Sequence, residues 1–248
     1  TRPSSSRPPA TSVQPRGRRD ARGSPARLGG NTKIRRDKIG WPSEKSVLSV
    51  NASAVTDIQF ALRGTRVPVD HGYALFRELA RLLPWLPGDA LTGIHPIQGA
   101  DSGAGELILN HRTRLVVRIP AERVRDLLAI EGQTVDIAGN TLTIGAGKAK
   151  PLPRHTPLYA HCVTTGSTDE ADFASDIMRL LDEQDIETRF ICGKRQTITT
   201  DAGSVAGYSL MLHGLPIEHA IRVQQIGIGG NRKLGCGIFI PHKSINAV

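Results

Sequence analysis

The sequence predicts an α+β fold made of two successive βαββαβ units, the second running into a glycine-rich loop and a short last strand. Three observations carry this. Short alternating or β-branched runs are interleaved with amphipathic helical stretches, two to each half. The order of elements returns at a spacing of about a hundred residues, after the Pro-rich joint "KAKPLPRHTP". A dense glycine run, "IGIGGNRKLGCGIFIP", lies between the last helix and the last strand.

The first strand is expected in "DIQFALR", where Ile58, Phe60 and Leu62 alternate with polar neighbours. In "HGYALFRELARLLPWL", Leu75, Leu79, Leu82 and Leu83 share a helical face, Asp70 can cap it, and Pro84 stops it. "GIHPIQG", "ELILN" and "RLVVRI" follow as strands. "AERVRDLLAI" is a short helix with Val124, Leu127 and Leu128 inward, and "TVDI" and "TLTI" form a hairpin turning at Gly139-Asn140. In the second round "LYAHCVT" is a strand, and "STDEADFASDIMRLLDEQ" is a helix with Ser167 and Glu170 in a capping box and Phe173, Ile177, Leu180 and Leu181 on one face. "IETRFI", "RQTITT" and "SVAGYSLMLHGL" supply strands. "PIEHAIRVQQIG" is a helix begun by Pro216 and ended by Gly227. This is the ferredoxin-like pattern, twice, with domains expected at 55–150 and 151–248.

The formal charge of +9 sits in the tail. Residues 1–45 hold 12 basic and 3 acidic residues, whereas the remaining 203 hold 20 of each. Residues 1–50, rich in Arg, Pro, Ser and Gly, are expected to be a disordered basic extension, either an RNA-binding arm or an extension of no function. Nucleic-acid binding by the folded body therefore rests on local clusters. Three widely spaced cysteines without a CxxC pair suit a reducing cytosol and suggest no zinc site. No apolar run is long enough to span a membrane, and the expectation is a cytoplasmic protein without metal or small-molecule cofactor.

The glycine loop, residues 227–237, fails the spacing of both a P-loop and a dinucleotide fingerprint, and it leads into a strand instead of opening a helix. What remains is a helix-to-strand loop whose backbone N–H groups, at Gly229, Gly230 and Gly235, and whose cations Arg232 and Lys233 could grip a polyanion. The alternative is a tight connection with solvated charges.

Tandem ferredoxin-like units with this terminal loop resemble the RAMP superfamily of CRISPR-associated proteins. "FALRGTRVPVDHGYALFRELARLLPWL", "GIHPI" and "IGIGGNRKLGCGIFIP" are similar to the repeat-RNA endoribonucleases of type I systems, in particular the myxobacterial subtype, over about residues 55–242. The resemblance implies metal-independent cleavage of precursor CRISPR RNA within each repeat. The ribose 2′-OH attacks the adjacent phosphate to give a 2′,3′-cyclic phosphate and a 5′-OH, and the protein stays on the 3′ repeat stem of the crRNA and joins a Cascade-type effector.

Such chemistry needs a base for the 2′-OH, an acid for the leaving oxygen and cations for the developing charge. Histidine is suited to the first two near neutral pH. His71, at the start of the first helix, is the leading catalytic candidate, because a helix N-terminus favours phosphate and disfavours imidazolium. His95 in "GIHPIQG" is the second. Tyr73 is expected to pack, since a helix turns it roughly 200° from His71. Arg232 and Lys233 are the expected phosphate ligands, while Lys148 and Lys150, with Arg154, and Lys194 with Arg195 form further basic clusters able to face a repeat stem. Two other readings stay open: a non-catalytic member that holds the repeat handle, and a small-ligand regulator on the same fold.

Overall fold

A computed structural model describes residues 55–243. The expected basic extension at 1–50 and residues 244–248 of the second domain lie outside them. In chain order the elements are β1 (Val55–Arg63), β2 (Arg66–Pro68), α1 (Gly72–Leu82), β3 (Gly93–Ile94), β4 (Ala100–Asp101), β5 (Glu106–Ile108), β6 (Arg114–Pro120), α2 (Val124–Leu128), β7 (Thr134–Ile137) and β8 (Asn140–Pro151) in the first half. The second half has β9 (Leu158–Val163), α3 (Glu170–Glu183), β10 (Arg189–Thr200), β11 (Gly203–His213), α4 (Ile217–Ile226) and β12 (Ile240–Pro241).

The first sheet runs β3-β6-β1-β8-β7 and the second β10-β11-β9-β12, with antiparallel neighbours throughout. Reduced to the four strands of a βαββαβ unit, both read 2-3-1-4, the ferredoxin-like order, so the two halves are the same fold. Alternation sets the faces. Ile58, Phe60 and Leu62 of β1 join Leu115, Val117 and Ile119 of β6 beneath Leu75 and Leu79 of α1, all buried. Leu158 and Ala160 of β9, with Leu210 and Leu212 of β11, pack against Phe173 and Ile177 of α3. Each fully buried side chain of this size contributes about 1.5–3 kcal/mol.

Several expectations are corrected locally. The Ser167–Glu170 capping box does not form: Asp169 caps α3, its carboxylate accepting from the Ala171 and Asp172 amides, and Ser167 donates to Asp176. The β7–β8 turn is Ala138-Gly139, one residue earlier than expected, with both residues at positive φ. "ELILN" does not join the main sheet but forms a small β2-β5-β4 sheet. "IETRFI" and "RQTITT" are one strand, β10, with a register shift between Cys192 and Arg195. Among the described residues no helix is long and apolar enough to cross a membrane.

Candidate functional site

The open faces of the two sheets meet around β1, β6 and β9. Asp57 pairs in register with Arg118, and that arginine is fully buried. Its Nε and Nη2 donate to the two Asp57 carboxylate oxygens at 2.7 and 3.0 Å, and Nη1 donates to the carbonyls of Gln224 and Phe239 in the second half. Burial would raise the Asp57 carboxyl; the His95 imidazole and the Arg118 guanidinium overcome it and hold the group well below the usual carboxylate range. His95 Nε2 lies 3.6 Å from Asp57 Oδ1, too long for a hydrogen bond, and is otherwise unpartnered and buried. Burial pushes the His95 ring toward its neutral form against the pull of Asp57.

His71 stands at the N-cap of α1 and is buried. The Ile97 amide donates to its Nε2 at 2.9 Å, so its Nδ1 must carry the proton, donated to the Pro68 carbonyl at 2.8 Å. Burial lowers its proton affinity, while the Pro68 carbonyl works in the opposite direction. The ring is neutral, in one tautomer, and both nitrogens are occupied. His71, the leading catalytic candidate from the sequence, thus has both ring nitrogens engaged by backbone groups. Asp70 does not cap the helix either, because its carboxylate accepts from the Thr199 amide. With no side-chain cap and no acidic residue in the first turn, the first amides of α1 keep their positive end open. Tyr73 is not packed: its hydroxyl donates to Asp201 at 2.7 Å on the β10–β11 hairpin.

The glycine loop leans on this helix start. A Cβ at Gly72 would lie 2.6 Å from the Leu234 carbonyl, and one at Gly235 would lie 2.9 Å from the Pro96 ring. Arg232, expected from the sequence as a phosphate ligand, is buried in the loop. Its side chain turns inward, donating to the carbonyls of Gly237, Leu91 and Gln225, and burial pulls its pKa down to about 10. It holds the loop through both terminal guanidinium nitrogens, leaving Nε without a partner. Lys233 is half-buried, its Nζ on the Asp89 carbonyl. Gly229 and Gly230 are exposed, with the Gly230 amide donating to the Thr164 carbonyl, whereas Gly235 is buried. Beneath the loop the thiols of Cys236 and Cys162 are 3.5 Å apart and buried.

Two cavities open here. One of about 100 Å³ is lined by Asp70, His71, Pro96, His161, Leu234 and Gly235. The other, about 790 Å³, lies between the halves and includes Asp57, His95, Arg112, Arg114, Tyr159 and His161. Lys148 and Lys150 are exposed on β8 opposite Gln59 and Asp57, and Lys194 and Arg195 are exposed at the β10 register shift; none of these four lines either cavity. Sequence reasoning passed over His161, whose signal was the alternation of β9 alone. Among the described residues no cluster of three His, Cys, Asp or Glu could hold a metal ion.

The structure is a tandem ferredoxin-like fold with a terminal glycine loop locked against the first helix. Residues 56–244 match the family model described as Cas6 Crispr. The sequence is 35% identical over 192 residues to the CRISPR-associated endonuclease Cas6 of Myxococcus xanthus (strain DK1622), covering 77% of this chain and 83% of that protein. Two solved structures share the fold at low identity. One is described as CRISPR associated protein Cas6 (TM-score 0.55, 12% identity, 76% of this chain and 100% of that one). The other is described as a RAMP protein binding different RNA substrates (TM-score 0.56, 13% identity, 76% and 100%). The chain belongs to the Cas6 family.

Proposed function

We propose that this protein is an endoribonuclease that cleaves precursor CRISPR RNA within its repeats and keeps the 3′ repeat stem, as a component of a Cascade-type effector. The observation that carries the reading is the 35% identity to the Myxococcus xanthus endonuclease across 83% of that protein's length. The reaction is 2′-OH transesterification without metal, leaving a 2′,3′-cyclic phosphate and a 5′-OH. Its seat is the junction of α1 and the glycine loop, where open helix amides favour a phosphate and the nearby histidines are held neutral by burial. His71 and His95 belong to that seat. Lys233, Lys148, Lys150, Lys194 and Arg195 contribute phosphate contacts to the stem, with Gly229 and Gly230 letting RNA approach the loop backbone. Arg232 shapes the loop from inside.

A second reading, a non-catalytic subunit that grips the repeat handle, is favoured by one observation: both nitrogens of His71 are engaged by backbone groups. A single assay separates the two. Repeat RNA from the neighbouring CRISPR array is incubated with the protein in EDTA. One cut per repeat with a cyclic phosphate end supports the first reading; RNA bound but intact, with and without divalent metal, supports the second.

A further inference from the structure

β9 alternates in burial. Leu158 and Ala160 enter the core of the second half, so Tyr159 and His161 stand on the opposite side, and His161 is exposed. That side is where both cavities open. Of the described histidines, His161 is the one that lines both, sharing the smaller with His71 and the larger with His95.

The three imidazoles differ in what is left to them. His71 spends one nitrogen on the Pro68 carbonyl and the other on the Ile97 amide. His95 points its buried Nε2 toward Asp57, already paired with Arg118. His161 takes no hydrogen bond or ion pair among the described residues, and partial enclosure by the cavity wall lowers its proton affinity. It is neutral at pH 7, reachable by a ligand, and beside the open N-terminus of α1.

We propose that His161 is a catalytic residue, the base that takes the ribose 2′-OH proton in the RNA cleavage proposed above, while His71 is a positioning residue that fixes the start of α1 against the segment at Ile97. The assignment rests on the endonuclease reading. In the step, a ring nitrogen of His161 accepts the 2′-OH proton, the 2′-oxygen bonds to phosphorus, and the bond from phosphorus to the 5′-oxygen breaks. That oxygen takes a proton from water at the cavity mouth, and the imidazolium neutralises the hydroxide left behind. The net change is a transesterification in which no water is consumed.

The test is single-turnover cleavage of the repeat RNA in EDTA by the native protein, His161→Ala and His161→Gln, with affinity measured on the same RNA carrying a 2′-deoxy ribose at the cut. Both variants are expected to bind as the native protein does and to cut about 10²–10⁴-fold more slowly. Added imidazole should restore part of the His161→Ala rate, and the acid limb of the native pH–rate profile should vanish in the variants. Cleavage by His161→Ala at the native rate overturns the assignment, as does a slow variant that binds weakly and ignores imidazole, which would make His161 a phosphate ligand. A native protein that binds the repeat and leaves it whole overturns the endonuclease reading itself, and the assignment with it.

Discussion

The first helices of the two halves occupy the same place in the same fold and begin in opposite ways. At α3, Asp169 is extended, its carboxylate accepts from two amides, and Glu170 and Asp172 add negative charge to the first turn. At α1, His71 offers no side-chain cap, the first turn has no acid, and the neighbouring Asp70 is diverted to β10. One helix start is closed by its own anion. The other is left uncapped against a glycine loop and the smaller cavity, so the duplicated fold secures one helix start with a side-chain anion and the other by tertiary packing alone.

The largest effect should come from breaking the frame in which both helices sit. Arg118→Ala leaves the Asp57 carboxylate buried and unpaired, and urea unfolding should show a loss of about 3–5 kcal/mol; Asp57→Leu with Arg118→Met should recover only part of it, because the Gln224 and Phe239 carbonyls stay without their donor. At the open start, His71→Ala strands the Pro68 carbonyl and the Ile97 amide. A stability loss of about 1–3 kcal/mol is expected, with slower repeat cleavage that added imidazole does not restore. At the closed start, Asp169→Ala should cost about 1 kcal/mol of stability and leave cleavage at the native rate; slower cleavage there would erase the contrast between the two helices.

Acid sharpens it further. His71 and His95 titrate lower folded than unfolded, so the unfolded chain binds protons first and stability falls as pH drops below 6.5. Asp57, held low, adds a second loss as pH falls below its unfolded value near 3.8. Chemical denaturation between pH 8 and 3 should show both declines, and Asp57→Asn should make the second shallower, leaving the part that Glu78 and Asp176 contribute.

Periodicity made the fold legible: the faces of β1, α1 and α3 lie where the apolar spacing put them. Pro216 and Gly227 bound α4 as predicted, because φ restriction and positive φ act locally. The site was less legible. Arg232 in a glycine run reads as a phosphate ligand, with a solvated cation as the alternative, and only tertiary closure shows three carbonyls converging on it. His71 was found by position, but its engaged Nε2 depends on Ile97, 26 residues away. His161 sits in a strand without a motif, and its place between two cavities follows from sheet order, which no window of sequence contains.

Arg118 has one more consequence. Its guanidinium is satisfied only when Asp57 of the first half and the backbone at Gln224 and Phe239 of the second are all in place. Either half alone would bury a charge or expose carbonyls built for it. Two folds by pattern thus share one buried charge, so a substitution on either side of this seam is felt by both and its effect should not add simply to that of a substitution across it.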